Sequence, residues 1–204
     1  VYEEKNMSLT RDNSKVQEAI FSSLFPKHPY GTQTVLGTQE NLKNPSITNI
    51  KNYYKQWYVP NNMAICMSGD LDPDATIALI DKYFGGLKPN PELPKLDLPK
   101  EAPITQPVVK EVLGPDAESV ALAWRFPGVS DKDFEILQVV SQVLYNGKAG
   151  LIDLDLNQQQ KVLNSYGYPM GLADYSAFIL GGLPKQGQLS LIHISEPTRP
   201  RLIS

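Results

Sequence analysis

Histidine and cysteine, which many catalytic and metal-binding sites use, are scarce in this 204-residue chain. It contains two histidines, His28 and His193, and one cysteine, Cys66. These counts exclude an internal disulfide, a Cys-based structural zinc site and a His-rich metal site built from this chain alone. Glu3 and Glu4 form a carboxylate pair, but neighbouring helical residues point about 100° apart, so only one of them could face a buried site. Taken alone, the pair is typical of a solvated helix face.

The other candidate motifs favour structural roles. His28 lies between two loop prolines and has no Ser, Cys or second His at a spacing typical of a catalytic pair. Gly147-Lys148-Ala149-Gly150 combines glycine and lysine as phosphate loops do, but it lacks the P-loop spacing and the Lys-Ser/Thr ending. We therefore expect a turn between helices there. Cys66 lies in an apolar run and is predicted to be a core residue.

Composition and charge narrow the class of protein. The 19 Lys and Arg residues against 22 Asp and Glu give a net charge of −3 with no basic block, which disfavours a nucleic-acid or anionic-membrane surface. The apolar runs are far shorter than the roughly 18–20 residues of a membrane-spanning helix. The chain begins with Val1, so we expect its natural N-terminus to lie upstream. Residues 189–204 resemble translated adaptor sequence and are expected to be a non-native tail, with an ordinary terminal segment as the alternative.

The first elements that the sequence predicts around these residues are helices. Apolar residues at helical spacing predict a helix over residues 11–25, followed by a proline-marked loop over residues 26–31. Asn44-Pro45 predicts the start of the next helix, and Asp72-Pro73 predicts another that ends at Gly85-Gly86. Between these two helices, residues 63–68 predict a buried strand. Helices and a strand joined by tight turns indicate an α+β or α/β layer domain.

A proline-rich segment separates this first part from a second one. Six of the 17 prolines fall within residues 88–107, which predicts an extended linker. After it, residues 108–113 and 119–126 predict strands. Ser130 and Asp133 resemble a capping box at the start of a helix. Residues 151–163 predict a second helix, and the stretch over residues 167–179 is strand-rich. The pattern indicates two similarly built α/β units in tandem.

Three stretches, in order along the chain, carry a resemblance to a known family. They are residues 1–7 with the Glu3-Glu4 pair, residues 25–31 followed by 35–38, and residues 53–63 running into 68–72. Together they resemble the pitrilysin/insulinase (M16, inverzincin) zinc metallopeptidases, and the third stretch is the most specific. Weaker similarity continues at residues 131–144 and 151–168, so the resemblance covers about residues 1–188.

The resemblance implies a zinc enzyme that hydrolyses peptides. In that family two histidines and a glutamate bind Zn²⁺, and the glutamate of an H-x-x-E-H motif activates water. Glu4 matches the third ligand, Glu3 would replace it if the register differs by one, and His28 matches a loop residue rather than a metal ligand. This chain contains no H-x-x-E-H motif. By itself, it is therefore expected neither to bind zinc tightly nor to hold catalytic residues.

The resemblance also implies a domain organisation. The expected fold is α+β, with two tandem homologous α/β layer domains whose mixed or antiparallel sheets are covered by helices. Residues 1–87 would form the second part of the N-terminal zinc-site domain, 88–107 the linker, and 108–188 the first part of the second domain. The first domain would be truncated at its N-terminus and the second at its C-terminus.

Two function hypotheses follow, and a third lies outside the family. The leading one is an internal fragment of a zinc-dependent metalloendopeptidase, inactive alone. Its partners would be peptide substrate, the missing upstream half-domain and the C-terminal half of the parent. The alternative is a non-catalytic family member that acts as a partner or substrate-presenting subunit. The third is a folded α/β protein of unrelated role. The family suggests a bacterial, extracytoplasmic (periplasmic) location.

Overall fold

The computed structural model describes residues 1–185, so the predicted tail at 189–204 lies outside the described residues. The fold is α+β, and its contacts divide into two units. The smaller unit consists of Val1–Tyr2 and Gly37–Leu98. The larger unit joins Glu3–Leu36 to the residues from Pro99 onward. The division of the chain into residues 1–87, 88–107 and 108–188 remains a prediction.

Seven α-helices and three strands are present among residues 1–185. The helices are α1 (Tyr2–Leu9), α2 (Asp12–Leu24), α3 (Pro29–Thr32), α4 (Gln39–Lys43), α5 (Ile47–Trp57), α6 (Pro73–Phe84) and α7 (Lys132–Leu144). The strands are β1 (Val120–Pro127), β2 (Asn164–Gly171) and β3 (Tyr175–Leu183). A 3₁₀ turn occupies Pro60–Asn62 and a π-helical turn Asp153–Asn157. None of the described helices has both the length and the apolar character that crossing a bilayer requires.

The larger unit is built on an antiparallel sheet of order β1-β3-β2. Successive strand residues point to opposite faces, so Ala177 and Ile179 share one face, which packs with Leu24 and Phe25 at the end of α2. The opposite face is covered by α7, because a Cβ placed on Gly171 would meet the ring of Phe134. The sheet therefore carries apolar side chains on both faces, with the principal core on the α2 side.

Two of the predicted helix starts are confirmed and two are shifted. The prediction for residues 11–25 is confirmed by α2, and that for Asp72-Pro73 by α6, where Asp72 accepts the N–H of Ala75 at 2.8 Å. The start at Asn44-Pro45 is wrong, because Ser46 caps α5 by accepting the N–H of Asn49 at 3.2 Å. Likewise Asp131, rather than Ser130, caps α7. In both shifted cases a second capping side chain lies one or two positions away, and local sequence alone does not distinguish them.

The strand predictions succeed only where a partner strand exists. Residues 119–126 and the strand-rich stretch that begins at 167 are confirmed by β1, β2 and β3. Residues 63–68 and 108–113 form no strand, and the helix predicted over 151–163 is reduced to a short helical stretch before β2. Cys66 is exposed and not a core residue, and Met67 beside it is 57% exposed. The described residues of the smaller unit contain no sheet in which this apolar run could be buried.

Candidate functional site

The carboxylate pair lies in the first turn of α1. Glu3 and Glu4 are both exposed, and Glu3 accepts a long hydrogen bond of 3.5 Å from the side chain of Asn6. The next residue, Lys5, is buried, and its Nζ lies 2.5 Å from Oε1 of Glu18 on α2. This ion pair joins α1 to α2 and sets which side of α1 is covered. Because adjacent helical positions point in different directions, Glu4 remains on the accessible side.

The possible metal ligands in the part of the chain that the structure describes do not complete a zinc site. A catalytic zinc ion needs three protein ligands and one open position. Within residues 1–185, no group of three or more His, Cys, Asp or Glu side chains is arranged to hold a metal ion. Glu4 can therefore supply one ligand at most, and no catalytic step is assigned to residues of this chain. Its role as the third ligand remains a prediction.

His28, in contrast, lies at the centre of a buried polar cluster. Its side chain is 1% exposed and caps α3, with Nδ1 accepting the N–H of Tyr30 at 3.3 Å. Nε2 lies 3.6 Å from Oδ2 of Asp174, in the turn between β2 and β3. The hydroxyl of Tyr30 donates to the same carboxylate oxygen at 3.1 Å. His28 thus has a structural position, as the sequence favoured, but its contact with Asp174 could not be foreseen.

A buried ion pair holds the main chain around His28. The carboxylate of Glu101 accepts the N–H groups of Lys27 and His28 at 2.7 and 2.6 Å. It also lies 3.8 Å from the guanidinium of Arg125, and the side chains of Glu101 and Arg125 are 1% and 9% exposed. Arg125 donates in turn to the carbonyl oxygens of Leu24 and Ala102. Two buried charges are thereby paired and hydrogen-bonded, as a low-dielectric site requires.

The glycine-lysine motif at residues 147–150 encloses a carboxylate of the chain itself. Asp153 accepts the N–H groups of Asn146, Gly147 and Gly150 at 3.0, 2.9 and 3.1 Å. Burial acts to raise the pKa of Asp153, but these donors and Asn157 outweigh it, so the pKa lies below its usual value. The backbone donors that a phosphate would need are therefore engaged internally. Gly147, at φ +77°, supplies the left-handed backbone of this turn.

A surface groove beside α7 offers little for chemistry. It has a volume of about 710 Å³ and is lined mainly by residues of α7, including Glu135, Val139 and Gln142, together with Pro169. Glu135 is the single titratable side chain in this lining. The groove therefore lacks the paired acid and base, or the metal ligands, that a hydrolytic site needs.

The comparison with protein families identifies the class of protein. The family model described as "Peptidase M16 inactive domain" matches residues 46–190, well over half of the chain. The chain therefore belongs to the M16 peptidase family, which confirms the resemblance seen in the sequence.

Individual relatives agree with this family. The zinc protease PqqE of Helicobacter pylori is 28% identical over 171 residues, which cover 80% of this chain and 38% of that protein. A probable mitochondrial-processing peptidase subunit beta of Schizosaccharomyces pombe is 29% identical over 85 residues, 42% of this chain and 18% of that protein. The chain thus spans less than two fifths of the length of these curated relatives.

Solved structures agree in fold. A protease from Helicobacter pylori superposes with a TM-score of 0.71 at 25% identity, covering 95% of this chain and 49% of that one. The periplasmic protease PqqL from Escherichia coli superposes with a TM-score of 0.68 at 16% identity, covering 90% of this chain and 21% of that one. At that lower identity, the second likeness concerns the fold alone.

Proposed function

We propose that this chain is a segment of a zinc-dependent metalloendopeptidase and is inactive by itself. The observation that carries the proposal is the similarity to the zinc protease PqqE, which extends over 80% of this chain. The absence of an H-x-x-E-H motif from the 204 residues accounts for the expected lack of activity. The remaining zinc ligands and the water-activating glutamate would come from residues upstream.

In this proposal Glu4 supplies the third zinc ligand of the longer protein. Its carboxylate is accessible on α1, while the neighbouring Lys5 is turned inward to Glu18. Carboxylate oxygen is an ordinary ligand of catalytic zinc, where it joins two histidines in many hydrolases. Glu3 is also exposed, so it serves as the natural comparison for any substitution at Glu4.

The second candidate function is a non-catalytic subunit that assists or presents substrate to an active partner. The family model that matches here is the one described as inactive, and its match begins at residue 46, after Glu4. M16 domains of this type work together with other domains or subunits, so both candidates include a protein partner. We further propose an extracytoplasmic location, on the likeness to a protease described as periplasmic.

The deciding experiment starts from the coding DNA, read for about one hundred codons upstream of Val1, because the family's H-x-x-E-H motif would fall within that stretch. If the motif is present, the longer protein is expressed as wild type, Glu4→Gln and Glu3→Gln. Zinc content and chelator-sensitive cleavage of a fluorogenic peptide are then measured. We expect one zinc per wild-type chain, loss of zinc and cleavage in E4Q, and retention of both in E3Q.

Each alternative result has a clear meaning. Replacement of the motif's histidines or glutamate would overturn the enzyme proposal and favour the non-catalytic subunit. Loss of zinc in E3Q instead of E4Q would move the ligand by one position. The 204-residue chain, assayed beside the longer protein, should neither retain zinc through dialysis nor cleave the peptide.

A further inference from the structure

The residues from 25 to 32, here called the 25–32 segment, are anchored to the sheet through the buried ring of His28. The ring centroid lies 4.3 Å from that of Tyr30 and 5.3 Å from that of Tyr175, both in edge-on arrangements. Phe25 lies on a further side at 6.4 Å. His28 is 1% exposed, so its imidazole is shielded from bulk water. Any change in its hydrogen bonding must therefore be met by its protein neighbours.

The hydrogen bond to Nδ1 fixes the tautomer of the neutral ring. A neutral imidazole has one N–H donor and one acceptor nitrogen. Since the N–H of Tyr30 can only donate, Nδ1 is the acceptor and the proton is carried by Nε2. Within residues 1–185, Nε2 has no hydrogen-bond partner, and it faces Oδ2 of Asp174 at 3.6 Å. That separation is too long for a hydrogen bond, and the neutral ring carries no net charge for the carboxylate to attract.

Protonation would reverse the hydrogen bonding of this ring. In imidazolium both nitrogens are donors, so Nδ1 could no longer accept from Tyr30 and α3 would lose its cap. At the same time Nε2 would carry more positive charge toward Asp174. The Asp174 side chain is 47% exposed and has room to move closer. One proton thus removes one contact of the 25–32 segment and strengthens another.

Charged groups of both signs lie around the ring. Asp174 and Glu101 each bring a negative charge, Glu101 through the hydrogen bond to the His28 main chain. Arg125 brings one positive charge, which is already paired with Glu101. Lys27 contacts the same carboxylate through its main-chain N–H. Tyr30, Tyr175 and Phe25 contribute uncharged rings. Because Arg125 is already paired with Glu101, Asp174 is the charged side chain that faces the ring at Nε2.

We propose that His28 is a pH-sensitive switch that selects between two anchors for the 25–32 segment. The neutral ring caps α3 through Nδ1 and leaves Nε2 without a hydrogen bond. The protonated ring releases the N–H of Tyr30 and forms a charged hydrogen bond with Asp174. Histidine is the side chain whose change of charge ordinarily lies closest to neutral pH, so the two hydrogen-bonding states are compared at pH 8 and pH 5. This device is independent of any zinc site.

The test is an NMR titration of the 204-residue chain carrying His193→Gln, so that His28 is the sole imidazole. At pH 8 we expect one acceptor-type and one donor-type ring nitrogen, and at pH 5 two donor-type nitrogens. Over the same range, exchange of the Tyr30 amide, corrected for intrinsic rate, should rise by about fivefold, the factor that corresponds to loss of one helix cap. Amides in the centre of β3 should keep their protection, which separates the switch from global unfolding.

Two variants complete the design. His28→Asn retains an acceptor that can cap α3 but gains no proton in this range, so its Tyr30 exchange should be independent of pH. Asp174→Asn removes the charge that faces Nε2 and should move the transition to lower pH. The proposal is overturned if Nδ1 stays unprotonated at pH 5, or if Tyr30 exchange depends on pH equally in H28N. An unchanged transition in D174N would overturn the role of Asp174.

Discussion

Replacement of Phe25 by alanine should destabilise the larger unit more than most single substitutions do. The side chain is 0% exposed and closes the core between the end of α2 and the sheet. Its ring centroid lies 5.6 Å from those of Phe21, Tyr30 and Tyr175. Removing the ring would leave a cavity enclosed on several sides by other rings.

The size of the effect follows from this enclosure. Burying a phenylalanine contributes about 1.5–3 kcal/mol, and each favourable aromatic pair adds about 0.5–1.5 kcal/mol. Because the surrounding rings can collapse only in part, we expect a loss of about 3–5 kcal/mol in the free energy of unfolding. For a chain of this size, about 2–4 °C in Tm corresponds to each kcal/mol, so Tm should fall by roughly 6–20 °C.

The assay is urea and thermal unfolding followed by the fluorescence of Trp124 on β1. The other tryptophan, Trp57, belongs to the smaller unit, so Trp57→Phe serves as the background for every variant. The matched control is Tyr83→Ala, which removes a ring that is 69% exposed and should change stability by less than about 0.5 kcal/mol.

Two results would refute the reasoning. A loss below about 1 kcal/mol in Phe25→Ala would mean that the ring is not enclosed as described, because even a partly relaxed site should exceed that value. An equal loss in Tyr83→Ala would mean that the fluorescence change does not report the core of the larger unit. Phe25→Leu, which keeps most of the apolar volume, should lie between wild type and Phe25→Ala.

Three further predictions concern the same unit and its neighbour. The depressed pKa of Asp153 means that the ionised carboxylate stabilises the folded chain at neutral pH, and that this contribution is lost as pH falls through the pKa of the folded state. The urea midpoint of Asp153→Asn should therefore vary less between pH 7 and pH 3 than that of wild type. Gly128→Ala should destabilise the folded chain by about 1–3 kcal/mol in thermal melts, because the added Cβ would meet a backbone carbonyl. Gly86→Ala, with open space around the added Cβ, should stabilise it by about 0.4–1 kcal/mol. Glu101→Ala should lower the free energy of unfolding by about 3–5 kcal/mol, because it leaves the buried guanidinium of Arg125 without its carboxylate. The control Glu92→Ala, at an exposed position, should be near neutral. Equal losses in the two variants would contradict the buried pairing.

The elements that could be predicted from the sequence are those set by local interactions. The spacing of apolar residues in α2 and the Asp72-Pro73 start of α6 each depend on neighbours within a few positions. The buried strand predicted over residues 63–68 depends instead on a partner strand elsewhere in the chain. Apolar character indicates that such a run could be buried but does not say what would bury it.

The polar cluster around His28 could not be predicted for the same reason. Glu101 lies 73 positions from the N–H of His28 that it accepts, and Asp174 lies 144 positions from Tyr30. No spacing rule joins residues so far apart, so these contacts are seen only in the folded unit. The metal-ligand role predicted for the Glu3-Glu4 pair came from the family resemblance. In the proposed function, the chemistry of the pair depends on zinc ligands outside these 204 positions.

The union of Glu3–Leu36 with the residues from Pro99 onward has a consequence for synthesis of the chain. Phe25 packs on Tyr175, and at about 5–20 residues per second the roughly 150 intervening residues take about 8–30 seconds to translate. For that interval the end of α2 leaves the ribosome without the sheet that will cover it. This apolar stretch thus emerges long before the strands that bury it, and a chaperone that holds nascent chains would find it exposed.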